Sequence, residues 1–138
     1  MSYSTRRDTD PRSGQPVIEI LHDGHEWGET HQYKEHFRFG PVKARMIVTA
    51  KAVISEFLES EGQKPAIGQR VVATDDGHDP FSVTCCNYDH FPTHGHVIEQ
   101  QYLKLRAGQS SLGFGLSKAE ALIVLMNHIE RFAGEHNA

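Results

Sequence analysis

Between residues 118 and 134, Leu122, Leu125, Met126, Ile129, Phe132 and Ala133 recur at the spacing that places them on one side of an α-helix. No feature limits the fold more, because an apolar stripe of this length has to be covered by a second layer of structure. Ser117 and Glu120, within Ser-Lys-Ala-Glu, read as a capping box, with Leu116 placed to staple the first turn. The spacing therefore predicts a helix over about 118–134. A partner stripe lies earlier: Met46, Ala50, Val53 and Phe57, flanked by Ile47, Ile54 and Leu58, follow Gly40-Pro41. It predicts a helix over about 42–60, stopped by Gly62 and Pro65.

The remaining segments have β character. Val17–Leu21 is a short apolar run that ends in His22-Asp23-Gly24-His25, where Asp-Gly signals a tight turn. Asp75-Asp-Gly-His78-Asp repeats this pattern, which turn chemistry explains. From residue 25 to 39 the odd positions carry Trp27, Tyr33, Phe37 and Phe39, and the even ones carry Lys34, His36 and Arg38. This alternation predicts a strand, with Gly28 as a bulge or break. Runs over 69–74, 81–87 and 97–106 predict three more, with Ala107–Gly115 as a connector. The expected order is β-β-α-β-β-β-α. It describes an α+β fold with a mainly antiparallel sheet of about five strands and two amphipathic helices on one face. Residues 1–16 are expected to be a disordered tail, 17–134 a single domain and 135–138 a frayed end.

A chain of 138 residues can bury one real core without disulfides or metal. Cys85 and Cys86 are its only cysteines. Neighbours in a strand cannot form an unstrained disulfide, so they read as reduced thiols on opposite faces and point to a cytoplasmic location. No apolar run is long enough for a membrane helix. Nor does an apolar stretch follow the N-terminal arginines, as a secretory signal requires. The formal charge of −4 weighs against a general nucleic-acid binder. Gly-x-Ser-x-Gly, phosphate-loop and dinucleotide fingerprints are absent, so the sequence leaves open whether the protein is an enzyme.

Chemistry centres on the histidines. There are ten, with four at positions 22, 25, 31 and 36 and three at 90, 94 and 96. Imidazole is the commonest protein ligand of transition metals. In His94-Gly-His96 two rings project from the same side of an extended chain, and His90 and Asp89 are near enough to complete a set. His25 is a further donor, and a divalent metal such as zinc is the expected cofactor. A second candidate site, for a small ligand, comprises Trp27, Glu29, His31, Tyr33 and Glu35 on the odd-numbered face. Two carboxylates among aromatics there need pairing, protonation or a polar cavity. Either one beside His31 makes an acid–base pair.

Lys34, Arg38, Lys43, Arg45 and Lys51 make the segment 34–51 basic. The order α-β-β-β-α that follows is similar to that of double-stranded-RNA-binding folds, with Lys118 where a phosphate contact would lie. The lysine cluster expected there is missing, because Ala119, Glu120 and Ala121 follow. The favoured reading is a histidine-rich metal- or small-ligand-binding domain. The alternative is a non-catalytic interaction module that forms a homo-oligomer, a dimer, through an exposed sheet face. Nucleic-acid binding through 34–51 ranks third.

Overall fold

The computed structural model describes residues 2–30, 36–75, 80–88, 91–93, 96–98 and 101–136. The chain begins with strands β1 (Tyr3–Thr9), β2 (Pro16–His22) and β3 (His25–Glu26), then a single helical turn, α1 (Trp27–Thr30). Strand β4 (Arg38–Phe39) leads to helices α2 (Pro41–Thr49) and α3 (Lys51–Glu59). Next come β5 (Arg70–Thr74), β6 (Ser82–Tyr88), β7 (Phe91–Thr93), β8 (His96–Ile98), β9 (Tyr102–Ala107) and β10 (Ser110–Phe114). Helices α4 (Leu116–Val124) and α5 (Met126–Glu135) close the described chain.

The expected α+β class holds, with the strands divided between two four-stranded antiparallel sheets. In the first, β2 is central. It pairs with β1 on one side and with β3 and β4 at separate stretches of the other. The second has the order β10-β9-β6-β5, and β7 and β8 form a separate hairpin. The helices supply the shared layer, with α2 against α5 and α3 against α4. Ile18 and Ile20 from the first sheet join Val83, Leu103 and Leu105 from the second in one buried cluster with Ile47, Phe57, Leu122, Ile129 and Phe132.

Both predicted helices form, and each bends once. At Ala50 (φ −90°, ψ 11°) and Leu125 (φ −100°, ψ 13°) the backbone leaves helical geometry. The i→i−4 bonds from Ala50 to Met46 and from Ile54 to Ala50 continue through the first bend. The apolar face therefore keeps its phase. The capping box does not form. Gly115 is the N-cap, Ser117 lies inside α4, and no side chain caps the helix.

Three segments differ more from the sequence reading. The expected tail contains β1, paired with β2 from Tyr3↔His22 to Thr9↔Pro16. The polar Asp10–Gln15 segment is its hairpin loop: Asp10 accepts from the Arg12 amide and the Ser13 hydroxyl, and Gly14 takes the positive φ (72°) that the turn requires. The strand expected over 25–39 is interrupted by α1, because Trp27 turns into the core at 2 % exposure against Phe37. The Gly/Ser-rich connector holds β10, joined to β9 by the two-residue turn Gly108-Gln109. Among the described residues no helix is long and apolar enough to cross a membrane.

Because β1 is part of the fold, a chain lacking residues 1–9 is expected to lose stability by about 3 kcal/mol or more, since β2 loses its partner on one side and Tyr3 no longer covers Trp27. Urea denaturation of the two chains checks this. Coincident curves would make the segment an unstructured tail.

Candidate functional site

A carboxylate lies at the centre of the first sheet. Alternation along β2 turns Ile18 and Ile20 into the core and Glu19 to the opposite side, yet Glu19 is 0 % exposed. Neighbouring side chains cover it. Arg6 stands directly opposite on β1, Glu26 comes from β3, and His36 lies just before β4. Arg6 Nη2 is 2.8 Å from Glu19 Oε1 and 3.3 Å from Glu26 Oε1. His36 Nδ1 is 2.9 Å from Glu19 Oε2 and 3.8 Å from Glu26 Oε2. Arg6, Glu26 and His36 all reach solvent, so one side of the cluster is open.

Burial alone would raise the pKa of Glu19 by penalising its charged form. Hydrogen bonds from His36 and Arg6, together with their charges, outweigh burial and hold the carboxyl below its ordinary value of 4.5. The same hydrogen bond to Glu19 is the main reason that Arg6 is held more firmly protonated. One donor atom from each of Glu19, Glu26 and His36 can be chosen so that all three lie within 4.8 Å of one another. Two carboxylates and an imidazole at such spacing suit a divalent transition metal. Arg6 now supplies positive charge between the carboxylates.

Of the residues expected to bind a small ligand, Trp27 is a core side chain flanked by Phe37, His22 and Tyr3. Glu29 lies in α1, through which the strand phase that placed it on the aromatic face does not continue. His31, Tyr33 and Glu35 fall outside the described residues, as do Asp89, His90 and His94. His96 begins β8. His25 is exposed on β3, opposite His22 across the Asp23-Gly24 turn. The second Asp-Gly-His segment lies largely outside the described residues. Both cysteines are free; Cys85 is buried, which pushes its thiol up to about 11, while Cys86 is half-buried.

The basic run does not form one surface among the described residues. Arg45 lies over the Phe81 ring and 3.7 Å from Asp75, and Lys51 pairs with Glu130 at 3.1 Å. Arg38 and Lys43 border an open cleft with Asp10 and Ser13. Lys118 is placed over the ring of Phe37.

Sequence reading did not select Glu19 or its pairing with Arg6. A lone acid within Val-Ile-Glu-Ile-Leu was the available signal, since a charge in an apolar strand needs a partner. That partner, Arg6, lies in the segment expected to be a tail.

Fold and cluster together define a small α+β domain with a half-open, carboxylate-rich polar site on one sheet. No protein-family model, no curated protein and no solved structure matches the chain.

Because the Glu19 pKa is depressed on folding, its stabilisation is complete above the ordinary carboxylate value and lost as pH falls through the lower folded value. Glu19→Gln is expected to cost about 1–3 kcal/mol at neutral pH. The gap from the parent should narrow as pH falls below the ordinary carboxylate value of 4.5. Thermal melts from pH 3 to 8 test this, and a constant gap would contradict the assignment.

Proposed function

We propose that this protein is a small metal-binding domain whose site is Glu19, Glu26 and His36. The observation that carries the reading is their convergence: three donors from β2, β3 and the approach to β4 come within 4.8 Å. Metal–ligand bonds near 2 Å allow donor separations of roughly 3–4 Å, so small side-chain shifts suffice. The carboxylate on the central strand is rigidly held, whereas Glu26 and His36 are partly exposed and able to adjust.

Arg6 decides how such a site works. Its guanidinium bonds to both carboxylates, so a divalent ion competes with it for Glu19. Arg6 is itself half-exposed, and on release its charge moves into water. The protein thus carries a cation in either state, its own or a bound one. The carboxylate never has to be buried without a counter-charge, which would be the costly condition. Metal ligands bind in their deprotonated forms, so affinity falls with acidification.

The test is calorimetric titration with zinc of untagged protein purified without chelators or nickel resin. The parent is expected to bind one equivalent, and Glu19→Gln and His36→Ala to weaken binding by about a hundredfold or more. Arg6→Gln removes the competitor and should tighten binding by roughly threefold to tenfold. Absence of binding, or binding unchanged in Glu19→Gln and His36→Ala, would refute the site. The second result would return attention to His90, His94 and His96.

A further inference from the structure

We infer that the outer face of the second sheet binds single-stranded nucleic acid, independently of the metal reading. Side chains alternate along each of its strands. Val83, Cys85, Leu103, Leu105 and Phe114 turn into the core beneath the helices. The opposite face therefore carries Arg70 and Val72 from β5, Tyr88 from β6, and Tyr102, Lys104 and Arg106 from β9. Arg70, Val72, Tyr88 and Arg106 are exposed; Tyr102 and Lys104 are half-buried.

The charge of this face is one-sided. Strands β5, β6, β9 and β10 contain no aspartate or glutamate, while the chain as a whole carries −4. No carboxylate among the described residues pairs with Arg70, Lys104 or Arg106. Lys104 and Arg106 are two residues apart on one strand, about 7 Å. Through Cys86, Arg70 shares a cross-strand row with Lys104, about 10 Å away. Three cations at these separations form a basic track across the sheet.

The tyrosines supply the second element of recognition. Tyr88 and Tyr102 are directly paired across β6 and β9 at one end of the track. Gly113 faces Lys104 on β10, and a Cβ there would collide with the Tyr102 hydroxyl. The missing side chain thus lets Tyr102 reach across β10. Cations that follow a backbone, beside aromatic rings on which bases can stack, are what a single strand requires. A duplex has phosphates but keeps its base faces stacked inside. A second copy of this chain fits poorly, since face-to-face pairing would set the three cations against themselves.

The test uses fluorescence anisotropy of a fluorescein-labelled oligouridylate of about 15 nucleotides, within the span such surfaces engage. Three phosphate contacts on a single strand give a log–log salt slope of about −2, so affinity should fall roughly twentyfold between 50 and 200 mM salt. Combined Arg70→Gln, Lys104→Gln and Arg106→Gln should abolish most of the binding and flatten that slope. Tyr88→Ala with Tyr102→Ala should weaken binding by at least about fivefold and leave the slope unchanged. Arg38→Gln with Lys43→Gln should leave it as it is. Circular dichroism confirms that each variant is folded. The inference is overturned if the folded parent does not bind, if a duplex of the same length binds as tightly, or if the cleft variant and not the sheet variant loses binding. A dimer in light scattering that Val72→Asp dissociates would overturn it too, by giving the face to a second copy.

Discussion

Helix α2 lies along α5 and α3 along α4, and on this contact the two sheets depend for a common core. Among the described residues neither sheet pairs its strands with the other. What joins them is the layer of Ile47, Ile54, Phe57, Leu122, Ile129 and Phe132, on which Ile18 and Ile20 pack from the first sheet and Leu103 and Leu105 from the second. Each of these side chains, fully buried, contributes about 1.5–3 kcal/mol through loss of apolar surface to water. The bends at Ala50 and Leu125 alter the path of the helices without turning this stripe away from the sheets.

The helices were legible because a 3.6-residue period survives a one-residue bend whose hydrogen bonds persist. Strand β1 was not, and the reason lies in its side chains. Its inward positions are Tyr3, Thr5 and Arg7, and Arg7 covers the core with its stem and guanidinium, 4.8 Å from the centre of the Phe132 ring. An amphipathic side chain used in this way looks polar in sequence. Strand β10 was concealed similarly by Ser110, Ser111 and Gly113. The alternation after residue 25 identified Trp27, Phe37 and Phe39 as companions, and all three are buried in the core. It did not reveal that the chain turns helical between them. For the site, Glu19 was visible as an oddity and His36 as one of many histidines. Their meeting required the pairing of β2 with β1 and β4, a non-local fact that no short pattern encodes.

The structure also separates charge in a way that net charge conceals. The first sheet buries an acid among an arginine, a histidine and a second acid. The second has bases alone on its strands. A net charge of −4 therefore describes neither surface. Local fields, which fall off over about 8–10 Å at ordinary ionic strength, are what an approaching ion or strand would meet.

The partnership of α2 with α5 also orders events in time. Most pairings in the second sheet join near neighbours in sequence, β5 with β6 and β9 with β10, and can close early. The long apolar face of α2 has to wait for a segment about 80 residues further along the chain. Until α5 arrives, Met46, Ile47 and the inner face of the sheet stay open to water and to other chains. During synthesis from the N-terminus, these apolar surfaces stay uncovered until α5 has emerged.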